Sequence, residues 1–360
     1  MKLFPGHIRA GGLTKLTLNL YVQNSSGMNV WEKQKEDSVR CLLCPHRCLI
    51  RPGEEGICGA RGNRDGELHL VTAGIISGYA LDPIEKKPLY HYFPGSSILS
   101  VGSYGCNLRC DFCQNHHISQ NISLAGSRRL DPADLVSQAS ATRGNIGIAY
   151  TYNEPVIWFE YLMESARLAS LQGLRNVLVT NGYINPEPLM DLIRFIDAFN
   201  IDLKAFNNDF YRRFTGATLQ PVLDSIRDVA NSGRHLEITT LILPGLNDTP
   251  DEMRREAMWI AENAGRSVPL HLSRYFPMYR RSTPATPAET ILKLRDIASE
   301  YLDYVYSGNM GGDNGGSDTS CPSCHSTVIV RSGYTTRITG LADDGKCLKC
   351  GLQVIAGEFM

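Results

Sequence analysis

The chain has 360 residues, 42% of them hydrophobic and 20% charged, and 36 Lys plus Arg against 37 Asp plus Glu give a net charge of -1. That near balance excludes a generally basic nucleic-acid-coating protein, and no apolar run reaches membrane-spanning length. Gly at 33 and Pro at 18 sit near ordinary usage, which excludes collagen and global disorder.

Residues 1–38 read as a weakly structured extension without a signal-peptide apolar region; the lack of Asp and Glu before Glu32 leaves a transit peptide as the other reading. Residues 39–96 form a cysteine- and turn-rich region. From residue 97 short apolar runs alternate with amphipathic stretches. Strands are predicted over 97–103, 146–152, 176–181, 200–206, 235–245, 268–276 and 303–308. Helices are predicted over 131–142, from 153 to about 172, and over 186–197, 222–232, 249–264 and 287–301. Such alternation implies right-handed βαβ units around a parallel sheet, as a closed or partly closed barrel or an open doubly wound sheet. Residues 308–320 are glycine-rich and read as a flexible linker, leaving 321–360 as a separate module.

The eleven cysteines fall in three groups: Cys41, Cys44, Cys48 and Cys58; Cys106, Cys110 and Cys113; and Cys321, Cys324, Cys347 and Cys350. An odd total in tight clusters suits metal ligation better than disulfides. Metal-binding thiols need a reducing compartment, so the expected location is the cytoplasm. The central group, spaced C-x3-C-x2-C, follows directly on the first predicted barrel strand. Three thiolates from one loop can hold three irons of a [4Fe-4S] cube and leave the fourth iron open, whereas a simple electron carrier supplies four cysteines. The alternative is zinc with a distant fourth ligand, His116 or His117.

Several polar residues sit at strand ends or on the predicted inner face. Asn153 and Glu154 end the second strand, where barrel active sites form, although both could simply cap the next helix. Asn181 ends the third. Asp202 and Lys204 are two apart on the fourth and share a face. His271 and Ser273 do the same on the last regular strand, with Arg274 and Tyr275 placed to reach the substrate side. No residue stands out as a catalytic acid or base.

The last four cysteines, C-x2-C-x22-C-x2-C, read as a closed zinc site or a rubredoxin-like iron site, and a module of this size needs such a staple. Residues 311–360 carry four Lys/Arg and five Asp/Glu, so docking on the barrel or a protein partner fits better than nucleic acid. The first four could hold a second, fully ligated [4Fe-4S] cluster or zinc, with His46 able to replace one thiol. The stretch 82–96 is either a flap near the active site or a solvated charged turn with packed aromatics.

GCNLRCDFCQN, YTYNEP, VTNGY and NIDLKAF together resemble the radical SAM superfamily, with Phe112 at the aromatic position of its cysteine motif, and in particular the relatives of pyruvate formate-lyase activating enzyme. CLLCPHRC…GICGARG and DPIEKKPLYH…PGS extend the likeness to the AmmeMemoRadiSam system radical SAM enzymes, over roughly residues 40–350. The resemblance implies an α/β fold built on a partial parallel (β/α)6 barrel, with a cysteine-rich front region and a small zinc-ribbon or rubredoxin-like module behind it. It implies a [4Fe-4S] cluster on Cys106, Cys110 and Cys113 that cleaves S-adenosylmethionine reductively to a 5′-deoxyadenosyl radical, which takes a hydrogen atom from substrate. The residues expected around that cofactor are Phe112, Asn153, Glu154, Asn181, Asp202, Lys204 and His271. Where the family often has Gly-Gly-Glu, this chain has Tyr152, Asn153 and Glu154, so only the glutamate carries over. The eight-cysteine insert of some activating enzymes is missing. Implied partners are a flavodoxin, ferredoxin or reductase as electron donor, Memo-like and AMMECR1-like proteins, and a protein substrate. An iron–sulfur and zinc scaffold without chemistry of its own is the competing class.

Overall fold

The computed structural model describes residues 30–120, 122, 127–311 and 316–355. Most of the expected extension and the middle of the expected linker lie outside the described residues.

One eight-stranded sheet organises the chain: β1 (Gly78–Pro83), β2 (Ser97–Gly102), β3 (Asn145–Tyr150), β4 (Arg175–Thr180), β5 (Ala198–Asp202), β6 (His235–Ile242), β7 (Leu270–Arg274) and β8 (Val305–Gly308). They lie side by side in chain order, β2 to β8 parallel, and β1 antiparallel to β2. Helices α1 (Pro132–Ala141), α2 (Phe159–Leu171), α3 (Pro186–Ile193), α4 (Gln220–Asn231), α5 (Pro250–Asn263) and α6 (Ala288–Ala298) fill the successive crossovers from β2 to β8. Leu99, Ile148, Leu178, Phe199, Ile238 and Leu272 on the helix-facing side of the strands are at most 2% exposed. Burial on both faces is why these strands read as near-continuous apolar runs.

The other face carries Ser100, Ala149 and Val177 in one register row, Asn200 and Glu237 in a second, and His271 and Tyr306 in a third. At the amino-terminal end of the strands this face is covered by the stretch after β1. Leu89 is 0% exposed, Asn200 donates to the Pro88 carbonyl at 2.7 Å, and the Tyr90 and His91 amides donate to Glu237 at 3.0 and 2.7 Å. The 82–96 stretch is therefore neither a solvated turn nor a flap over the cysteine loop; it is a packed floor. Lys87, on charge alone a surface residue, has a 1% exposed side chain because Asp82 pairs with it at 2.7 Å.

Among the smaller sheets, two are three-stranded. Trp31–Lys33, Val39–Cys41 and Leu49–Ile50 form the first, which begins inside the segment read as an extension. The second, Thr319–Ser320, Thr327–Ser332 and Thr335–Ile338, belongs to the C-terminal module. That module is latched to the floor: the buried Arg331 donates to the Tyr90 carbonyl at 2.7 Å, and Thr336 donates to Glu85 at 2.6 Å. Among the described residues no helix is long and apolar enough to cross a membrane.

Candidate active site

β2 ends at Gly102, and the chain turns into the cysteine loop over its carboxy-terminal edge. Asn153, just past β3, holds both sides of that turn. Its carbonyl oxygen accepts from the Ser103 amide at 3.0 Å, and its amide nitrogen donates to the Gly105 carbonyl at 3.0 Å. The Tyr152 carbonyl accepts from Asn115 at 2.6 Å, fixing the loop beyond Cys113. Tyr152 sits at φ 74, in the left-handed region a bulky residue rarely adopts. Its ring lies against the directly paired Gly78 and Gly102, where any Cβ would come within 3.0 Å of it. Its hydroxyl donates to Asp82 at 2.7 Å. Lys86, Lys87 and Tyr152 together outweigh burial and hold the Asp82 carboxyl below its usual range.

Glu154 is 3% exposed. It accepts from the Val156 amide at 3.1 Å, the Thr180 hydroxyl at 2.7 Å and the Asn181 amide at 2.7 Å. Burial pushes its carboxyl up to about 7 in spite of those three donors. It thus caps the turn Pro155–Trp158 and ties β3 to β4. Asn181 continues the chain of contacts: its amide nitrogen donates to Asn107 at 2.9 Å and faces the Cys106 sulfur at 3.8 Å. Asn107 in turn donates to the Tyr183 carbonyl at 2.8 Å.

Asp202 ends β5, so Lys204, predicted to lie within this strand, sits two residues beyond its observed end, where the Lys204 amide leaves the ladder for the Tyr211 hydroxyl at 3.0 Å. The pair still forms, with Nζ to Oδ2 at 2.7 Å. Burial opposes the Lys204 charge, but Asp202 and the Cys110 sulfur more than compensate and hold the ammonium above its usual range. Burial likewise pushes the Cys110 thiol up to about 12, with Lys204 pulling the other way, and raises Cys106 and Cys113. Such thiols become ligands when a metal displaces the proton.

The donor set fits an iron–sulfur cluster. It consists of three soft sulfurs in one partly buried loop, a cation beside Cys110, and N–H groups aimed at Cys106, the Leu108 amide at 3.3 Å and Asn181 at 3.8 Å. Among the described residues the loop thiols, with or without His116 or His117, do not gather to the spacing of one ion's ligands; His116 stacks on Tyr279 at 4.6 Å. Phe112 is 3% exposed and packs near Phe210 at 6.0 Å.

Cys106, Cys110, Cys113, Asn153, Glu154, Asn181, Asp202 and Lys204 thus come together at one edge. His271 does not join them. It is the second residue of β7, and its Nε2 meets the Glu237 carboxylate at 2.6 Å, with Tyr90 and Tyr306 packed on its ring. Alternation gives its face correctly, but the partner that occupies it comes from the floor. Sequence reasoning also missed Asp111, whose carboxylate takes a bidentate contact from Arg281 at 2.6 and 3.2 Å and closes the far side of the loop. An acidic residue inside the cysteine motif was the available signal. In the C-terminal group, Cys321, Cys324, Cys347 and Cys350 lie with all four sulfurs within 4.8 Å of one another, a set compatible with zinc or a cluster.

A sequence model of the radical SAM superfamily matches residues 100–258. The uncharacterized protein MJ0808 of Methanocaldococcus jannaschii is 40% identical over 329 residues, covering 90% of this chain and 97% of that protein. The pyruvate formate-lyase-activating enzyme of Clostridium pasteurianum is 25% identical over 158 residues, 42% of this chain and 65% of that enzyme, just under two thirds of its length. Among solved structures, a radical SAM methyltransferase from Sphaerobacter thermophilus is 16% identical, with a TM-score of 0.48, covering 82% of this chain and 81% of that one. The chain belongs to the radical SAM superfamily.

Proposed function

We propose that this protein is a radical SAM enzyme of the AmmeMemoRadiSam type, with Cys106, Cys110 and Cys113 as cluster ligands and a protein as its substrate. What carries the reading is the convergence of three loop thiols with the Asp202–Lys204 pair, 2.7 Å apart, at the carboxy-terminal edge of the sheet. When bound, the cluster and S-adenosylmethionine supply a one-electron cleavage that yields an adenosyl radical able to take hydrogen from substrate. The chain's own residues bind and orient. Lys204 offers an ammonium to the methionine carboxylate, and Asp202 offers acceptors to the ribose. Asn153, Glu154 and Asn181 hold the loop and the adjacent strand ends in register, so the cofactor meets a preformed surface. Phe112 packs beneath the loop and keeps water from the sulfurs. His271 has a supporting role under this cleft, through Glu237.

Activity on a protein is favoured by likeness to enzymes named for activating pyruvate formate-lyase, and a glycyl radical in a partner is one form it could take. A flavodoxin, ferredoxin or reductase would provide the electron, with Memo-like and AMMECR1-like proteins as associates in the cytoplasm. The large sheet would close into a partial (β/α)6 barrel. The C-terminal thiols would hold zinc in a ribbon-like module.

The test is anaerobic purification, reduction and EPR with and without S-adenosylmethionine. A [4Fe-4S]⁺ signal that shifts on adding S-adenosylmethionine, with the shift lost when Cys106, Cys110 and Cys113 become alanine, is the expected result. Zinc alone after reconstitution would overturn the reading.

A further inference from the structure

The first four cysteines are not used by that chemistry. Cys41, Cys44, Cys48 and Cys58 line a single pocket, with Arg61 and Asn107 also in its wall. The C-terminal thiols provide an internal comparison. They gather to the spacing of one ion's ligands, whereas among the described residues the N-terminal four do not. They surround a space instead of meeting at a point. His46 is not a substitute ligand through Nε2, which lies 2.8 Å from the Asn107 carbonyl.

Arg61 is the second observation. It is 2% exposed, and its two terminal nitrogens grip Glu160 at 2.8 and 2.6 Å. Its Nε has no hydrogen-bond partner, yet the guanidinium lies within electrostatic reach of Cys41 and Cys58. An orphaned buried donor is costly, and a sulfur-rich ligand in the pocket would relieve it. N–H groups aimed at sulfur and local charge are what set the potential of an iron–sulfur cluster.

The pocket also abuts the cysteine loop. A Cβ on Gly105 would collide with the Cys58 carbonyl oxygen. Arg109 donates to the Ile57 carbonyl at 3.3 Å, and Asn107, next to Cys106, is shared between the two sites.

We infer that Cys41, Cys44, Cys48 and Cys58 hold a second [4Fe-4S] cluster, fully ligated by protein, which passes single electrons to the loop cluster. The relay rests on the function proposed above; the site itself does not. A one-electron donor of the flavodoxin or ferredoxin class reduces the N-terminal cluster. The electron then moves to the loop cluster, the first cluster returns to its oxidised state, and no bond forms or breaks. Four cysteine ligands leave no open iron, so outer-sphere transfer is the chemistry this site can perform.

Iron, acid-labile sulfide and zinc are measured on the anaerobic full-length protein together with EPR. Wild type should hold about eight irons, and the triple variant Cys106→Ala, Cys110→Ala, Cys113→Ala about four, with a signal indifferent to S-adenosylmethionine. The double variant Cys41→Ala, Cys44→Ala should also keep about four, with a signal that still shifts on adding S-adenosylmethionine but with slower reduction by flavodoxin. Arg61→Gln keeps every thiol and should lower the midpoint potential of the indifferent signal, since a positive donor is lost. An iron-free triple variant with an additional zinc would overturn the inference. Equal flavodoxin reduction rates in wild type and the double variant would overturn the relay. If S-adenosylmethionine has no effect on wild type while the triple variant still keeps half the iron, the proposed function fails and this site stands.

Discussion

Asn153 braces both sides of the turn that launches the cysteine loop, and its contacts make a quantitative test possible. Replacing it with leucine removes the acceptor for the Ser103 amide and the donor to the Gly105 carbonyl, each bond 3.0 Å long. Each is worth about 1 kcal/mol net, and a backbone group left unpaired raises that toward 1–3 kcal/mol. The turn that launches Cys106 should therefore lose about 2–6 kcal/mol of local stability, or roughly one and a half to four and a half powers of ten in its opening equilibrium. Hydrogen exchange followed on peptides spanning 103–110 reads that opening directly, and the rate of iron loss to a chelator reads its consequence. Asn153→Asp keeps the acceptor and loses the donor, so it should fall between wild type and leucine. Unchanged exchange together with weakened S-adenosylmethionine binding would refute the brace and make Asn153 a direct cofactor contact.

Three further outcomes are expected. Glu256, 1% exposed on α5 and hydrogen-bonded by Thr240, has its carboxyl pushed by burial from 4.5 to about 8. A raised folded value means its contribution is complete below 4.5 and is lost as pH rises through 8. Glu256→Gln should abolish up to about 5 kcal/mol of that loss, seen as converging denaturant midpoints at low pH and a higher midpoint than wild type at high pH. Gly102→Ala puts a Cβ 2.7 Å from the Thr151 carbonyl and 3.0 Å from the Tyr152 ring; a drop of about 1–3 kcal/mol in chemical denaturation is expected. Stripping metal from the C-terminal thiols should free Arg331 from Tyr90 and Thr319, so that proteolysis of 316–355 accelerates and the melting temperature falls.

The alternation of strand and helix was legible because each parallel strand is an apolar run covered on both faces. The cysteine spacing was legible because its thiols come from one loop; Asp202 and Lys204 do pair, although Lys204 lies past the end of β5 and alternation is not what joins them. What stayed hidden depends on contacts between distant segments. GYALDP, with its Gly and Pro, does not read as a strand, yet it pairs along all of β2 as β1. The depth of His271 along the sheet is set by Glu237 and Tyr90, which periodicity cannot supply. Asn153 and Glu154 read in the sequence as cofactor contacts or a cap, and the brace that Asn153 forms with Tyr152 stays hidden because its partners at Ser103, Gly105 and Asn115 are backbone groups or a lone amide thirty-odd residues and more away in the chain.

The floor of the sheet explains how one face can stay open at its carboxy-terminal edge without the rest loosening. Glu237, with a 0% exposed side chain, would be costly alone. Here it receives the Tyr90 and His91 amides and meets His235 and His271 at 2.9 and 2.6 Å, and these partners hold its carboxyl well below the usual range against the pull of burial. His91 reaches Tyr306 at 2.6 Å, and Tyr306 reaches Thr319 at 2.8 Å, so the network runs from the sheet into the C-terminal module. A satisfied buried network is rigid, and breaking one member strands the others. Glu237→Ala should therefore disturb the module and the sheet together, well away from the cysteine loop. Paired loss of exchange protection in 88–92 and 327–332, with the loop amides unchanged, is the signature; loss confined to β6 would show that the floor and the module are independent.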